Sequence, residues 1–187
     1  MTAKICVYPG TFDPVHFGHL DIVDRALNIF DTVVVALAEN PKKKPLFTLK
    51  ERIEMFEDAV SKYKGRVIVE GFSGLLVDFM KKYNTKIIVR GVRLFTDFEY
   101  ELQIAMTNYK LDKVETFFMM PSQELIHISS TIVKDVAFHD GDVSLMVTPF
   151  VRSKLEEKVR QLRETREWKV SQEFPLNFLS KVYYCWV

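Results

Sequence analysis

The sequence predicts an α/β fold: a Rossmann-like, doubly wound sheet of five parallel strands, with helices on both faces and a C-terminal helical extension. Two observations predict it. Short β-branched runs alternate with helix-length amphipathic segments along the 187-residue chain, which is the pattern of a parallel sheet with crossover helices. The run TVVVALA is apolar throughout, as expected of a parallel strand that is covered on both faces.

The predicted strands are short and rich in β-branched or aromatic residues. They cover residues 5–8, 32–38, 66–70, 86–90 and 116–120. The first helix is predicted over residues 18–30, because Val23, Ala26 and Phe30 recur at helical spacing. A second helix begins after Thr48, which forms a capping box with Glu51. Further helices are predicted over residues 75–83 and 97–111, from Ser129 or Ser130 onward, and over residues 149–163.

The chain is long enough for one domain with a full hydrophobic core, predicted over residues 1–163. Residues 164–187 follow the last clear helix and contain six aromatic residues. In this tail, one face of a short helix would carry Leu179, Val182, Tyr183 and Trp186. The tail is interpreted either as a segment that docks on a neighbouring subunit or as an extension without a role.

Composition and charge exclude several classes of protein. Hydrophobic residues make up 48% and charged residues 27%, and the net charge of +1 argues against a broad basic face for nucleic acid. No apolar run approaches the length that spans a bilayer, and the four apolar residues before Pro9 are too few for a signal peptide. Cys6 lies inside the first apolar run, far from Cys185, which favours a buried reduced thiol. A cytoplasmic protein without nucleic-acid or membrane partners is therefore expected.

Three polar clusters follow predicted strands. The first lies in the stretch of residues 4–21, where the first strand ends, the second is Arg90-Gly-Val-Arg93, and the third is Ile128-Ser-Ser-Thr131. Because parallel strands end at one edge of their sheet, clusters that are far apart in sequence are expected to meet there. The sequence therefore predicts one binding site at the carboxyl edge of the sheet.

The first cluster has the features of a phosphate-binding turn. Pro9 and Gly10 are expected to end the strand, and Gly10 and Gly18 to let a ligand approach the backbone. His16 and His19 lie three residues apart near the start of the first helix, whose free N–H groups suit an anion. One alternative is that the two histidines are helix caps or half-buried structural residues. Another is a zinc site, although no Cys, Asp or Glu at normal spacing completes it.

The stretch YPGTFDPVHFGHLD resembles the signature of nucleotidyltransferases that carry a histidine–x–glycine–histidine motif. Together with KKPLFTLKER, RGVRLFTDFEYE and ISST, it resembles the pantetheine-phosphate adenylyltransferases in order and spacing, from about residue 4 to residue 160. The resemblance implies transfer of AMP from ATP to 4′-phosphopantetheine, giving dephospho-coenzyme A and pyrophosphate. It also implies a homohexamer and feedback binding of coenzyme A, which no motif in the chain reports.

The mechanism that the resemblance implies is direct in-line attack without a covalent enzyme intermediate. Catalysis would come from positioning and from stabilisation of charge on the phosphoryl oxygens, with Mg²⁺ assisting as cofactor. No protein ligand for the metal is implied.

The resemblance also assigns site residues by position. Thr11 would contact both the attacking phosphate and ATP, and His19 would donate a hydrogen bond to the α-phosphate. Lys43 would hold the phosphates of both substrates, and Arg93 would hold those of ATP. The whole ATP-binding set is Thr11, Phe12, His19, Gly91, Val92, Arg93, Glu101, Leu125, Ile126, His127, Ile128, Ser129, Ser130 and Thr131. The set for phosphopantetheine is Thr11, Lys43, Leu76, Arg90 and Asn108.

Structural alternatives remain open for several of these residues. The lysine triplet that contains Lys43 is a solvated loop in most proteins, and Leu76 fits ordinary core packing equally well. Asp97 and Glu99 fit first-turn carboxylates that stabilise a helix N-terminus. His16 lies in a segment where relatives vary, so the resemblance leaves its part open.

Two other functions compete with this one. Another adenylyl- or cytidylyltransferase with the same turn would act on nicotinate mononucleotide or glycerol phosphate, but PGTFDP and the RGVR and DFEYE segments match the acceptor pocket for phosphopantetheine. A nucleotide-sensing module would bind ATP or coenzyme A without turnover, but it would not need Thr11, His19, Lys43 and Arg93 together. The sequence therefore favours the transferase.

Overall fold

A five-stranded, all-parallel sheet forms the centre of the protein. The computed structural model describes residues 3–39, 44–93 and 95–164. Its strands are β1 (Ile5–Gly10), β2 (Thr32–Ala38), β3 (Val67–Phe72), β4 (Ile87–Gly91) and β5 (Glu115–Met119). They pair in the order β3-β2-β1-β4-β5, and every pairing is parallel. The predicted doubly wound sheet is confirmed.

Six helices of the described residues connect or follow these strands. They are α1 (Phe17–Leu27), α2 (Leu49–Val60), α3 (Leu76–Lys81), α4 (Phe95–Asp112), α5 (Ser130–Phe138) and α6 (Pro149–Glu164). The capping box that opens α2 is present, since the N–H of Thr48 donates to Glu51 at 2.7 Å and the N–H of Glu51 donates back at 3.3 Å. All six lie where the sequence predicts them, with boundaries that differ by a few residues.

Helices cover both faces of the sheet. Alternate residues of the central strands point to opposite faces, and on both faces these residues are apolar. On β1, Cys6 and Tyr8 pack into the larger hydrophobic cluster, whereas Val7 between them packs into the smaller one. On β2, Val34 likewise joins the smaller cluster and Val35 the larger. This arrangement explains why TVVVALA contains no polar residue beyond its first position.

The first strand is longer than predicted. Pro9 and Gly10 were expected to end it, but both pair with β2, opposite Ala36 and Leu37. Pro9 has no N–H to donate, and its carbonyl accepts a hydrogen bond from the side chain of Arg90. The strand therefore continues to the edge of the sheet, and the turn begins only at Thr11.

The strand order creates a switch point between β1 and β4. From β1 the chain moves outward through β2 to β3, and then crosses to β4 on the other side and continues to β5. The loops that leave β1 and β4 therefore diverge, and the crevice between them is where ligands bind in open sheets of this kind.

The C-terminal helix is an integral part of the domain. Val151, Leu155 and Val159 on α6 are buried, and Lys158 donates to Glu51 of α2 at 3.0 Å. The tail after Glu164 lies outside the described residues, so the prediction of a helical face with Leu179, Val182, Tyr183 and Trp186 is untested.

Removing residues 164–187 is expected to leave unchanged the rate of the AMP transfer that the resemblance implies. The reason is that the polar contacts at the carboxyl edge of the sheet are made between residues 9 and 134, all within the domain. The measurement is the rate of product formation by the truncated and full-length proteins, with circular dichroism to show that both fold. A truncated protein that folds but has no activity would contradict this view of the tail.

Two further sequence predictions bear on the domain as a whole. Cys6 is a free, buried thiol, and burial raises its pKa to about 12, so the predicted reduced cysteine is confirmed. Among the helices of the described ranges, none is long and apolar enough to cross a membrane.

Candidate active site

The three polar clusters meet at the carboxyl edge of the sheet. Arg90, at the end of β4, donates to the carbonyl of Pro9 at the end of β1. Arg93, two residues after β4, donates to the carbonyl of Ile128 in the third cluster at 2.9 Å. The predicted convergence is therefore confirmed, and side-chain bonds of the two arginines join the three segments.

The turn after β1 is built around the ring of Phe12. Phe12 is buried, has a positive φ of 50°, and packs its ring edge-on against Tyr8, His19 and Phe56. A Cβ on Gly10 would lie 2.6 Å from this ring. The interpretation of Gly10 therefore needs correction: the space that its missing side chain leaves is filled by Phe12. A contact from Phe12 to ATP would have to come from its backbone.

The two histidines have different surroundings. His16 is only 4% exposed, and its ring stacks on that of His19 with the centroids 3.6 Å apart. Burial lowers the pKa of His16 to about 3, and the charge of Arg93 contributes. A Cβ on Gly18 would lie 3.1 Å from the His16 ring, so the space at Gly18, like that at Gly10, is taken by an aromatic side chain. His16 is therefore a buried histidine at a helix start, and its part in binding is untested.

His19 is held as a neutral hydrogen-bond donor. The backbone N–H of His16 donates to Nδ1 of His19 at 3.2 Å, so the proton of the neutral ring resides on Nε2. Burial, followed by the charges of His16, Arg93 and Arg90, lowers the pKa of His19 well below its usual value. His19 can therefore offer an N–H to an anion at neutral pH without itself carrying a charge.

Asp13 is a buried residue of the site that the sequence analysis did not single out. Its carboxylate accepts hydrogen bonds from the N–H groups of Leu46 and Phe47, each at 2.9 Å, and from Lys134 at 2.8 Å. It therefore ties the turn after β1 both to the segment that precedes α2 and to α5. The quoted motif PGTFDP contains Asp13, but an Asp before Pro is also an ordinary turn residue.

Arg52, the fourth residue of α2, was also missed. Its guanidinium is buried and donates to the carbonyls of Thr11, Ala38 and Phe47. The residue lies inside the quoted motif KKPLFTLKER, but a basic residue in an amphipathic helix normally indicates a solvent-facing position.

A cleft of about 260 Å³ opens between the ends of β1 and β4 and the side of α4. Four residues that the sequence assigned to phosphopantetheine line it together: Thr11, Leu76, Arg90 and Asn108. Ile88, Ile104 and Ala105 contribute apolar walls. Leu76 also packs against the smaller hydrophobic cluster, so it lines the cleft and contributes to core packing. The cleft combines the guanidinium of Arg90, which is paired with Glu101, with apolar walls, and this suits a phosphorylated chain-like molecule.

Glu101 orients the guanidinium of Arg90 in this cleft. Nε of Arg90 lies 2.7 Å from Oε2 of Glu101, and a second guanidinium nitrogen contacts the other carboxylate oxygen. With the bond to Pro9, this two-point ion pair fixes the guanidinium plane. The sequence assigned Glu101 to ATP; the structure pairs it with Arg90, and a contact to ATP stays a prediction.

The third cluster begins α5. Ser129 is its N-cap and accepts a hydrogen bond from the N–H of Ile132 at 3.1 Å, while Ser130 donates to the carbonyl of Pro14 at 2.9 Å. Ile128 is buried. Of the remaining predicted ATP contacts of this segment, Leu125, Ile126 and His127 lie in or just beyond a short 3₁₀ turn, and Thr131 is the second residue of α5. Both hydroxyls therefore have protein partners, and their binding of phosphate is untested.

Hydrogen bonds among Asp21, Arg25 and Ser122 hold the loop that leads into the third cluster. The N–H and the hydroxyl of Ser122 both donate to Asp21 at 2.7 Å, and Arg25 donates to the same hydroxyl at 2.9 Å. Burial alone would raise the pKa of Asp21, but the hydrogen bonds from Ser122 and Arg25 lower it.

Val92, Lys43 and Asp97 are three further positions that the sequence analysis named. Val92 follows Gly91, the last residue of β4, and its N–H donates to the carbonyl of Met119 at 2.9 Å, so that donor is occupied. Lys43 lies outside the described residues, as does the side chain of Asp97. Within the part of the chain that is described, no group of three or more His, Cys, Asp or Glu side chains is arranged to hold a metal ion.

Comparison with known proteins agrees with this geometry. A model of the cytidylyltransferase-like family matches residues 7–136. A phosphopantetheine adenylyltransferase from Aquifex aeolicus is 64% identical over 155 residues, which are 83% of this chain and 96% of the relative. The chain belongs to the phosphopantetheine adenylyltransferase family. Relatives of the same name from Cupriavidus metallidurans and Thermotoga neapolitana are 51% and 48% identical, over 83% and 84% of this chain and 96% and 98% of their own lengths.

A solved structure with low sequence identity has the same fold. A solved structure from Vibrio parahaemolyticus, provisionally assigned as a nicotinate-nucleotide adenylyltransferase, superposes with a TM-score of 0.62 at 17% identity. The match covers 82% of this chain and 99% of that one. At this identity the likeness supports the fold alone, and the family membership depends on the closer relatives. The chain is a nucleotidyltransferase with an α/β Rossmann-like fold.

Proposed function

We propose that the protein transfers AMP from ATP to 4′-phosphopantetheine, giving dephospho-coenzyme A and pyrophosphate. The observation that carries the proposal is the cleft at the switch point, in which Thr11, Leu76, Arg90 and Asn108 come together. The cleft reaches Thr11, which begins the turn between β1 and α1, and α1 carries His19. An acceptor in the cleft would therefore present its phosphate to a triphosphate bound at the start of α1.

In this proposal the acceptor phosphate itself attacks the α-phosphorus of ATP in line, and no enzyme nucleophile is needed. Arg90 binds the acceptor phosphate, and Thr11 contacts both substrates. His19 donates from Nε2 to the α-phosphate as negative charge develops on its oxygens, and Arg93 with Lys43 offsets charge on the phosphates. The N-terminal end of α1 adds the positive end of its helix dipole.

We propose Mg²⁺ as cofactor, held mainly by the substrate phosphates. Mg²⁺ retains several waters and commonly binds through phosphate oxygens with one or two protein carboxylates. The described side chains at this edge fit that mode: they are hydroxyls, arginines and a histidine, while Asp13 and Glu101 are engaged by Lys134 and Arg90. When bound, the ion neutralises phosphate charge, and the protein residues orient the phosphates around it.

We propose that the protein assembles as a homohexamer. Support comes from apolar side chains on α4 and after β5 that are exposed in the monomer: Tyr100 at 67%, Met106 at 65% and Met120 at 64%. Large exposed apolar side chains that lie together are typical of a surface that another copy covers, and we propose that these belong to one. Coenzyme A contains the same phosphorylated arm as the acceptor, so we also propose that it binds in the same cleft as a feedback ligand. A cytoplasmic location, where ATP and the acceptor occur, completes the proposal.

The test is a pyrophosphate-release assay with ATP and Mg²⁺. Three acceptors are compared: 4′-phosphopantetheine, nicotinate mononucleotide and glycerol 3-phosphate, with an acceptor-free control for ATP hydrolysis. We expect release with 4′-phosphopantetheine alone, and dephospho-coenzyme A as the second product by mass spectrometry. Release with another acceptor would assign a different transferase activity, and ATP binding without release would favour the nucleotide sensor.

A further inference from the structure

Arg52 presents a buried charge whose partners are all neutral. The residue is 2% exposed, and its guanidinium donates to the carbonyl oxygens of Thr11 at 2.6 Å and of Ala38 and Phe47 at 3.2 Å. Burying a cation is costly unless it is paired or fully hydrogen-bonded. Burial lowers the pKa of Arg52, and the nearby carboxylates of Asp13 and Glu39 offset part of this effect.

The three carbonyls belong to three segments at the same edge of the sheet. Thr11 begins the turn after β1, Ala38 is the last residue of β2, and Phe47 precedes the N-cap of α2. The planar guanidinium presents donors in several fixed directions at once, whereas a lysine ammonium is a single point. Arg52 is therefore the link by which α2 fixes the turn after β1 relative to β2.

Asp13 completes this link from the other side. It accepts the N–H of Phe47 at 2.9 Å, while Arg52 donates to the carbonyl of the same residue at 3.2 Å. Phe47 is thus held at both of its backbone polar groups, by one residue from the turn and one from α2. The turn that carries Thr11 is braced by two charged side chains that do not line the cleft.

We propose that Arg52 is a positioning residue for the transfer reaction: through the carbonyl of Thr11 it sets the place of Thr11 in the cleft. This inference rests on the proposed function, in which Thr11 contacts the acceptor phosphate. In-line transfer depends on the distance and the angle between the two phosphates, so a small displacement of Thr11 lowers the rate even when both substrates bind.

Arg52→Met tests the inference, because methionine fills a similar hydrophobic volume and offers no donor. We expect kcat to fall by about 10–10²-fold, with a much smaller change in the KM for ATP. The melting temperature will also fall, because three carbonyls lose their partner. The fall in kcat is therefore measured at a temperature where circular dichroism shows the variant to be folded.

Arg66 provides the matched control at the opposite edge of the sheet. It too donates to three backbone carbonyls, those of Leu27 at 2.7 Å and of Phe30 and Asp31 at 3.2 Å. Arg66→Met should lower the melting temperature and leave kcat unchanged. If folded Arg52→Met keeps the wild-type kcat, or if Arg66→Met loses as much kcat, Arg52 has a structural role only and the inference is wrong.

A double-mutant cycle tests whether Arg52 acts through Thr11. In the Thr11→Val background, Arg52→Met should lower kcat by a clearly smaller factor than in the wild type, because the positioned hydroxyl is already absent. Equal factors in the two backgrounds would overturn the inference.

If Arg52→Met does not fold, Arg52→Lys takes its place, since it keeps the charge but cannot reach three carbonyls in one plane. Its kcat is expected between those of the wild type and a Thr11→Val variant, and a wild-type kcat would overturn the inference. A wild type that forms no dephospho-coenzyme A would overturn the proposed function as well, whereas an active wild type with unaffected Arg52 variants overturns only the role of Arg52.

Discussion

Replacing His19 by alanine is expected to lower kcat by about 10²–10³-fold while leaving the Kd for ATP nearly unchanged. The reason is the geometry around the ring: Nδ1 accepts from the backbone N–H of His16 at 3.2 Å, which leaves Nε2–H for the α-phosphate. A donor of this kind matters most in the transition state, where negative charge on the phosphoryl oxygens is redistributed. Steady-state kinetics and equilibrium titration with ATP measure the two quantities.

His139→Ala is the matched control for this variant, because His139 is exposed at the end of α5 and, in the described part of the chain, its ring bonds to Asp135 of that helix. It should leave kcat unchanged. An unchanged kcat in His19→Ala would mean that His19 does not act on the α-phosphate.

The same geometry predicts the pH profile of the wild type. In the proposed function His19 acts as the neutral ring, and its pKa in the folded protein lies well below its usual value. Loss of activity from protonation of His19 would therefore begin only as the pH falls toward that lowered pKa. Between pH 8 and pH 6, the kcat of the wild type should not change through protonation of His19. The pH profiles of the wild type and of His19→Gln should therefore have the same shape in this range.

Replacing Arg90 by alanine is expected to raise the KM for 4′-phosphopantetheine by about 10²-fold, with a smaller effect on the KM for ATP. Two physical causes add: the cation that binds the acceptor phosphate is lost, and Glu101 is left as an unpaired carboxylate beside that phosphate. Initial rates at varied concentrations of each substrate measure both constants.

Glu101→Gln separates the two causes. It keeps Arg90 and a hydrogen-bonding partner but removes the negative charge, so its KM for the acceptor should rise far less than that of Arg90→Ala. Lys86→Ala is the distant control, because Lys86 precedes β4 at the opposite edge of the sheet and pairs with Asp112. A dominant effect of Arg90→Ala on the KM for ATP would mean that the proposed roles of Arg90 and Arg93 are misassigned.

The sheet was predictable because its signals are local. Apolar β-branched runs mark β2 and β4, and the pair Thr48 and Glu51 marks the start of α2 without any knowledge of the rest of the fold. The error at β1 has a physical cause: Pro9 lacks only its N–H, and its carbonyl obtains a partner from a side chain 81 residues away. No local pattern reports such a partner.

The convergence of the site followed from sheet geometry, but its supporting contacts did not. Asp13, Arg52 and the pair of Arg90 with Glu101 derive their roles from partners that lie beyond the reach of periodicity. Gly10 shows the same limit, since a glycine at the end of a strand indicates a close neighbour without saying whether that neighbour is a ligand or, as here, the ring of Phe12.

The buried thiol in β1 has a consequence for the chemistry of the proposed acceptor, which itself ends in a thiol. Thiol–disulfide exchange needs a thiolate on the attacking side and access to a sulfur atom. Cys6 has no exposed surface, and its pKa of about 12 keeps it protonated at physiological pH. Within the described ranges, where Cys6 is the single cysteine, an oxidised acceptor would find no protein sulfur with which to form a mixed disulfide.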